Sequence, residues 1–262
     1  MNTRVPRVPT TVLVLALGVV VACTTVPVTG RHQVMLFPES TEREMGLTAF
    51  QDAVSKAKVS ADPALNAQLT RVGTRIAAAT GRTDYKWEFK VFEDKQVNAF
   101  CLPGGKVVVY TGILPVTRDD AGLAAVVGHE VAHAIARHGG ERMSQQIAVQ
   151  GGLTAFQVGY AQRHPATVQL ATAALGAGAT VGYLLPYSRL QESEADHLGL
   201  IYMAKAGYHP SAARDLWVRM AELSKGQQRP PEFLSTHPAD ATRIKQIEAW
   251  LPEALKYYQP GS

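Results

Sequence analysis

The five residues His129–His133 read H-E-V-A-H inside an apolar segment, and this motif constrains the fold more than any other feature of the chain. The flanking residues predict a buried helix over 119–138. In a helix, residues four apart lie on one face, so the imidazoles of His129 and His133 can reach one Zn²⁺ at about 2.0–2.1 Å. Glu130 lies beside them, where it can take a proton from water. Burying these side chains without a partner would be costly, so the motif predicts a core helix that holds one zinc ion per chain.

A catalytic zinc site usually has three protein ligands, so a third ligand must come from another segment. His138 follows His133 by five residues and drifts away from the shared helix face. Glu192 and Asp196 are better candidates, because they are four apart on one face of a predicted helix over 192–206. This spacing favours Glu192 as the third ligand and Asp196 as the acceptor of the free N–H of a ligating imidazole.

Other chemically capable side chains are expected to have no role in the site. Glu194 lies about 200° around the helix from Glu192, and we expect it to be a solvated acid. We expect Cys101 to be a small buried hydrophobe rather than a nucleophile. The remaining histidines have no ligand spacing and are expected on the surface or in packing contacts, namely His32, His164, His197 and His209.

Strand patterns cluster early in the chain and helical patterns dominate the rest, which predicts an α+β, mostly helical fold. Two strands over 97–102 and 106–111 surround a Pro-Gly-Gly turn, and an alternating segment predicts a third strand over 85–92. Thr117 and Asp120 are expected to cap the helix that carries the motif, and Gly139 and Gly140 to end it. Helices are predicted over 39–80, 119–138, 192–206, 211–223 and 239–250.

The first 22 residues are predicted to be a signal peptide. Arg4 and Arg7 precede a charge-free apolar run over 11–22, which is too short to span a membrane. The run ends in V-V-A followed by Cys23, a sequence that resembles the lipobox of bacterial lipoproteins. The next residue, Thr24, favours sorting to the outer membrane, facing the periplasm. An ordinary secretory signal with a chance cysteine is the alternative.

Four blocks of sequence resemble peptidase family M48, the membrane-associated zinc metalloproteases that include HtpX and the CAAX prenyl endopeptidases. The likeness covers most of the chain from about residue 27 to residue 250 and is strongest for periplasmic lipoprotein members. It implies a gluzincin-type domain with a small β-sheet beside the H-E-x-x-H helix. Beside that motif, the blocks are Asn98-Ala99-Phe100 with Pro103-Gly104-Gly105, Ser188-Arg189 with Glu192-x-x-x-Asp196, and Thr236-His237-Pro238 with Arg243.

The resemblance implies that Glu192 is the third zinc ligand, that Glu130 is the catalytic base, and that His237 and Arg243 face the active site. Chemistry then offers candidate roles for the other residues, although His237 can also be a loop histidine fixed by Pro238. His237 either donates a hydrogen bond to the oxyanion or occupies the zinc as a fourth ligand and blocks it. Arg243 holds nearby carboxylates or the substrate. The edge formed by residues 98–100 either binds an extended substrate through main-chain hydrogen bonds or serves as scaffold.

The remaining segments complete the predicted organisation. Residues 23–60 are expected to carry the lipidated N-terminus, a tether or ordered arm, and the start of the first helix. Residues 61–251 are expected to form the zinc metalloprotease domain, and 252–262 a short tail. A run over 164–188 lacks Asp, Glu, Lys and Arg, although Thr and Gly residues dilute it. It is predicted to be a buried or membrane-apposed helix, with a membrane span as the alternative.

The expected function is that of a metalloendopeptidase of the bacterial cell envelope. Lipid on Cys23 would anchor it to the outer membrane, where it would hydrolyse unfolded or misassembled envelope proteins as a form of protein quality control. A formal net charge of +4 over 262 residues is too small to imply a nucleic-acid partner. The rival class is a non-catalytic chaperone or assembly factor that keeps zinc for structure, although such a site would have no need of Glu130.

Overall fold

The computed structural model describes residues 22–160, 165–225, 231–239 and 241–260. The predicted signal peptide lies almost wholly outside these residues, as does His164. The side chain of Cys23 is also outside the description. The signal peptide and the lipid on Cys23 therefore stay predictions.

Helices make up most of the described chain, and the strands are few and early, which confirms the predicted α+β, mostly helical class. The strands are β1 Ala22–Thr25, β2 His32–Met35, β3 Glu88–Phe92, β4 Ala99–Leu102 and β5 Lys106–Tyr110. The helices are α1 Glu39–Lys56, α2 Pro63–Ala79, α3 Leu114–Thr117, α4 Asp120–Ile135, α5 His138–Tyr160, α6 Pro165–Ala179, α7 Leu185–Lys205, α8 Ser211–Ser224, α9 Glu232–Thr236 and α10 Ala241–Ala254. A π-helical turn, Thr180–Leu184, joins α6 to α7.

Three strands form the small sheet beside the motif helix. Their order is β3-β5-β4, so β4 is an edge strand. β5 pairs in parallel with β3 and antiparallel with β4, with Ala99 opposite Val109. Gly104 and Gly105 both have a φ of 86°, a left-handed conformation that glycine adopts readily, and they turn the chain from β4 into β5. Within the part of the chain that the structure describes, no strand pairs with the other side of β4, so its backbone forms a free edge of the sheet.

Helix α4, which carries the motif, is the centre of the core. Every residue from Gly122 to Ile135 is buried, and the helix packs against α2, α7, α8 and β4. It approaches α7 closely at Gly128 and Gly199, where a Cβ on Gly199 would lie 3.1 Å from the backbone nitrogen of His129. This close approach brings the two helices that carry the predicted ligands side by side.

Helix α4 starts at a different cap from the one predicted. The carboxylate of Asp119 accepts a hydrogen bond from the amide of Gly122 (2.8 Å), so Asp119 is the N-cap. The hydroxyl of Thr117 instead donates to the carbonyl oxygen of Leu114 (3.0 Å). The predicted capping box of Thr117 and Asp120 is therefore wrong, because Thr117 belongs to the preceding short helix.

The end of α4 also differs from the prediction. The helix ends at Ile135, and Arg137 adopts a φ of 58°, which turns the chain out of the helix. The guanidinium of Arg137 is held by the carboxylate of Glu42 at 2.6 Å and 3.1 Å. Gly139 and Gly140 lie within α5 rather than ending α4. A tertiary ion pair, which the local sequence does not show, thus holds the residue at which the chain leaves the helix.

The segment that follows the predicted anchor is an ordered arm. β1 and β2 pair antiparallel as a hairpin, and Val26 and Met35 are buried. The side-chain amide of Gln33 donates a hydrogen bond to the carbonyl oxygen of Ala136 (3.0 Å), just beyond α4. The hairpin therefore packs against the end of the motif helix, and Arg31 in its turn reaches the interior.

The charge-free run forms α6, the π-helical turn and the start of α7. We call this segment the exposed extension, because it is not a core helix. α6 packs against α5, where a Cβ on Gly176 would lie 3.5 Å from Leu153. The large apolar side chains of the run that are exposed include Leu170, Leu175 and Val181, and Val158 of the neighbouring α5 is exposed as well. The buried option of the prediction is therefore wrong. A membrane-apposed helix and a membrane span both stay predictions. The continuous helix Thr167–Lys205 is long and apolar enough to cross a membrane.

Candidate active site

Four side chains from three separate segments meet at one point. His129 and His133 come from α4, Glu192 from α7, and His237 from the residue after α9; all four are buried. One ligand-type atom from each lies within 4.8 Å of those of the other three. The hydrogen bond from the amide of Phe233 to the carbonyl oxygen of Val97 (3.0 Å) ties α9 to the segment before β4. The fold thus brings the two predicted imidazoles to the predicted carboxylate.

The distances within this cluster suit one tetrahedral metal ion. Nε2 of His129 lies 3.1 Å from Nε2 of His133 and 3.1 Å from Nδ1 of His237. The Glu192 carboxylate lies 3.3 Å from Nε2 of His129 and 3.2 Å from Nε2 of His133. Zinc bonds of about 2.0–2.1 Å at tetrahedral angles would set the ligand atoms about 3.3 Å apart.

An unsatisfied oxygen in the cluster points to the same conclusion. Oε1 of Glu192 is buried and lies 3.2 Å from Nε2 of His133, but it makes no hydrogen bond among the described residues. Oε2 of Glu192, by contrast, lies 2.8 Å from Nδ1 of His237. A buried carboxylate oxygen without a hydrogen bond is costly, and a bound cation would remove that cost. The residues present therefore fit a metal ion with nitrogen and oxygen ligands.

Asp196 and Arg243 lie directly behind the cluster. Oδ1 of Asp196 is 2.9 Å from Nδ1 of His129, on the side of the ring away from His133. Arg243 donates two hydrogen bonds of 2.7 Å to the Asp196 carboxylate, and its guanidinium stacks on the ring of Trp217 at 3.3 Å. Both side chains are buried. Arg243 thus contacts Asp196 and, at 3.4 Å, Glu192, so it holds carboxylates.

Burial and neighbouring charges set the protonation of the ligand groups. Burial raises the pKa of the Glu192 carboxyl, but the surrounding imidazoles outweigh this effect and hold the pKa well below its usual range. Burial lowers the pKa of His133 well below its ordinary value, which leaves a neutral imidazole. For His129, hydrogen bonds to Asp196 and Glu192 outweigh burial and raise the pKa to about 9. Metal binding at His129 would therefore release a proton.

Glu130 faces the cluster with an unpaired oxygen. Its Oε1 is buried, makes no hydrogen bond among the described residues, and lies 3.5 Å from Nε2 of His237. Burial raises the pKa of the Glu130 carboxyl above its ordinary value. A carboxylate with a raised pKa is a better proton acceptor near neutral pH than an exposed one. Glu130 therefore has the position and the environment of a general base.

A cleft of about 400 Å³ opens onto Glu130, His133 and His237. Its wall includes the edge strand β4 and the residue before it, so the residues predicted to bind substrate, 98–100, line the cleft. Cys101 lines it as well, where burial raises the pKa of the thiol and keeps it protonated. Cys101 also packs against the core, as expected for a small apolar residue.

Two side chains that were not predicted to belong to the site, His138 and Glu194, are connected to it. Glu194 is buried with 3% exposure, so the prediction of a solvated acid is wrong. Its Oε2 lies 3.2 Å from Nε2 of His138, and Nδ1 of His138 lies 2.8 Å from Nδ1 of His133. Arg31 donates to both oxygens of Glu194 at 2.9–3.0 Å. Helix spacing shows which residues share a face of α7. It does not show that the turn of the N-terminal hairpin covers the face on which Glu194 lies.

The other described histidines lie away from the cluster, as predicted. The ring of His197 stacks on Trp250 at 4.8 Å, and its Nε2 lies 2.8 Å from the Glu253 carboxylate. His209 bonds to Ser211 near the surface. His32 is exposed in β2.

Comparison with known proteins identifies the domain. The model of peptidase family M48 matches residues 63–251. The mitochondrial metalloendopeptidase OMA1 of Schizosaccharomyces pombe is 38% identical over 240 residues, 87% of this chain and 66% of that protein. OMA1 of Saccharomyces cerevisiae is 39% identical over 182 residues, 66% of this chain and 50% of that protein. A putative beta-barrel assembly-enhancing protease of Vibrio cholerae is 30% identical over 201 residues, 76% of this chain and 41% of that protein.

These relatives correct one prediction and confirm another. The predicted location at a bacterial outer membrane is wrong, because the two relatives of highest identity given above are mitochondrial proteins by name. The chain spans about half to two thirds of the length of those two relatives. The family-level resemblance, by contrast, is confirmed over the segment that contains all four clustered side chains. The chain belongs to peptidase family M48.

Proposed function

We propose that this protein is a zinc-dependent endopeptidase. The observation that carries the proposal is the cluster of four buried ligand-type side chains beside an unpaired Glu130, at the wall of a cleft. His129, His133 and Glu192 would hold the ion, one per chain. Three imidazole nitrogens and one carboxylate oxygen are ligands that suit Zn²⁺. A structural zinc site, the rival reading, has no need of a buried glutamate aimed at the cluster.

Each side chain has a defined task in peptide hydrolysis. Zinc, when bound, polarises a carbonyl group and makes a nearby water more acidic. Glu130 accepts the proton of the attacking water and later delivers it to the leaving amine. Asp196 accepts the Nδ1 proton of His129 and so fixes the tautomer whose Nε2 binds metal. Arg243 neutralises Asp196 and holds its carboxylate in place, so it acts as a positioning residue.

His237 is proposed to occupy the site in this conformation. Its Nδ1 lies 3.1 Å from Nε2 of His129 and 2.8 Å from the Glu192 carboxylate, which supports the alternative in which His237 is a fourth ligand. A substrate carbonyl would need that position, so the ring must turn away before cleavage. Once turned, its N–H can donate a hydrogen bond to the oxyanion. In this proposal, the conformation with His237 at the cluster is a resting, blocked form of the enzyme.

The proposed substrates are extended segments of polypeptide. The free edge of β4 can pair with an incoming strand through main-chain hydrogen bonds, which impose little sequence preference. A folded protein does not offer a free strand of this kind, whereas an unfolded or misassembled one does. The name of the Vibrio cholerae relative, a putative beta-barrel assembly-enhancing protease, supports a role in protein quality control. That the chain is most similar to HtpX and the CAAX prenyl endopeptidases within the family stays a prediction.

The exposed extension suggests that the enzyme works against a lipid bilayer. Val158, Leu170 and Val181 lie on α5, α6 and the π-helical turn without cover from the core, and α6 carries no charged residue. Binding of the full chain to lipid vesicles is the test. Serine at Leu170 and Val181 should weaken vesicle binding, whereas serine at the exposed Val34 of β2 should not. Equal binding by all variants would contradict membrane contact through this extension.

Cleavage of casein by the full chain in detergent, with and without a chelator, tests the proposed activity. We expect cleavage that the chelator abolishes and that added zinc restores. His133→Ala and Glu192→Ala should lose both zinc and cleavage, whereas His209→Ala, which removes a histidine near the surface, should lose neither. Zinc binding without any peptide cleavage would favour the rival, a chaperone or assembly factor with a structural metal.

A further inference from the structure

The imidazole of His133 has a partner on the side away from the proposed metal. Its Nδ1 lies 2.8 Å from Nδ1 of His138, and both rings are buried. Two facing imidazole nitrogens can form a hydrogen bond when one of them carries a proton and the other does not. The direction of this bond therefore decides which nitrogen of His133 is free to bind a metal.

The second nitrogen of His138 settles that direction. Nε2 of His138 lies 3.2 Å from Oε2 of Glu194, and an ionised carboxylate can only accept a hydrogen bond. The proton of a neutral His138 therefore lies on Nε2, which leaves Nδ1 of His138 as an acceptor. His133 must then carry its proton on Nδ1. Its Nε2 is left unprotonated and faces His129 and Glu192.

Arg31 holds the Glu194 carboxylate in position against Nε2 of His138. The guanidinium contacts Glu194 through Nε and Nη2 at 2.9–3.0 Å and Glu141 through Nη1 and Nη2 at 2.6–2.7 Å. The hydroxyl of Thr29 adds a hydrogen bond to Glu194 at 2.9 Å. Arg31 and Thr29 both belong to the turn of the N-terminal hairpin, whereas Glu194 belongs to α7. The hairpin thus fixes a carboxylate two residues along the helix from the proposed ligand Glu192.

We propose that Arg31, Glu194 and His138 are positioning residues that hold His133 in the tautomer and orientation that bind zinc through Nε2. The N-terminal hairpin then supports the metal site through Arg31, although it precedes the segment matched by the family model. This inference rests on the proposed zinc site, which it deepens by explaining how the second imidazole is supported. It parallels the support of His129 by Asp196 and Arg243, although Glu194 and Arg31 reach His133 through His138 and not directly.

A second histidine–glutamate pair in this protein supplies a matched control. Nε2 of His197 lies 2.8 Å from the Glu253 carboxylate, and the ring stacks on Trp250. This pair has the same chemistry as His138 and Glu194 but does not contact His133. A general effect of losing a histidine–glutamate hydrogen bond would appear in both pairs, whereas an effect on zinc would appear in only one.

The first experiment measures zinc affinity of the full chain by competition with a chelator of known affinity. His138→Phe keeps the ring volume and removes both nitrogens, and we expect zinc binding 10- to 100-fold weaker, as for other partners of metal-ligating histidines. Glu194→Gln and Arg31→Met should each weaken zinc binding by about tenfold, and Arg31→Lys should restore part of it. His197→Phe and Glu253→Gln should bind zinc as the unaltered protein does. Unchanged zinc affinity in His138→Phe would overturn the inference.

The second experiment needs no substitution in the protein that is measured. Long-range ¹H–¹⁵N spectra of histidine-labelled, zinc-loaded protein report the tautomer of each ring. We expect the proton on Nδ1 of His133 and on Nε2 of His138; a proton on Nδ1 of His138 would overturn the inference even if the variants failed to fold. Unaltered protein that binds no zinc would instead overturn the proposed function, so the two failures are distinguishable.

Discussion

The close contact between α4 and α7 at Gly128 and Gly199 is expected to control the geometry of the proposed zinc site. Gly199→Ala would place a Cβ 3.1 Å from the backbone carbonyl carbon of Gly128 and from the backbone nitrogen of His129. Ordinary contacts of this kind lie at 3.4–4 Å, and neither backbone atom can move alone. The two helices must therefore separate by a few tenths of an ångström.

The cost of this substitution follows from two opposing terms. Overpacking a core contact costs about 1–3 kcal/mol, whereas alanine is favoured over glycine within a helix by about 1 kcal/mol. We therefore expect Gly199→Ala to lower the free energy of unfolding by about 0–2 kcal/mol. Gly151→Ala, in the exposed face of α5 with no atom within 4 Å of the new Cβ, should raise it by about 1 kcal/mol. The predicted difference between the two variants is about 1–3 kcal/mol.

The same separation should weaken zinc binding. Metal–ligand distances tolerate changes of about 0.2 Å, so a shift of a few tenths between His129 and Glu192 should reduce zinc affinity by about tenfold. Urea unfolding and chelator competition on the two glycine variants measure both effects. The reasoning is refuted if Gly199→Ala gains stability as Gly151→Ala does and binds zinc with unaltered affinity.

Three further predictions concern the surroundings of the site and the fold. Asp196→Asn should weaken zinc binding about tenfold or more in the same competition assay, because the imidazole it supports loses a charged acceptor; unaltered affinity would exclude that role. Burial opposes ionisation of Glu39, but hydrogen bonds from Arg82 and Tyr85 outweigh it and lower the pKa below the ordinary 4.5. A carboxyl whose pKa is lower in the folded protein than in the unfolded chain stabilises the fold at any pH above its pKa in the unfolded chain. This stabilisation is lost as the pH falls through the pKa in the folded protein. Glu39→Gln should therefore lose about 1 kcal/mol of stability at pH 7 and progressively less below pH 4.5, as measured by urea unfolding. Glu44→Gln, which removes an exposed carboxyl of the same helix, is the control, and an equal loss at every pH in Glu39→Gln would contradict the prediction. Finally, N-methylation of alternate amides in a peptide substrate should raise KM, since it removes main-chain donors to the edge of β4; an unchanged KM would assign binding to side-chain pockets.

The helix-borne part of the site was predictable because it depends on local periodicity. Residues four apart share a helix face, so His129 with His133, and Glu192 with Asp196, could be paired from the sequence. The fold then had to bring the two helices together. No local pattern shows this approach, and the glycine pair that permits it becomes recognisable only in the packed helices.

The support of His133 could not be predicted from spacing. Glu194 points away from Glu192 around α7, and an acid on that face is ordinarily solvated. It is buried because the turn of the N-terminal hairpin, 163 residues away at Arg31, covers it. The end of α4 escaped prediction for the same reason, since a long-range ion pair between Arg137 and Glu42 competes with the local glycine signal.

The most direct test of the account compares zinc content and casein cleavage in the same preparations of unaltered protein and Glu130→Gln. This substitution removes the proton acceptor but none of the four clustered side chains. We predict one zinc per chain in both proteins and cleavage at least 100-fold slower in the variant. Full cleavage by Glu130→Gln, or unaltered protein without zinc, would contradict the account.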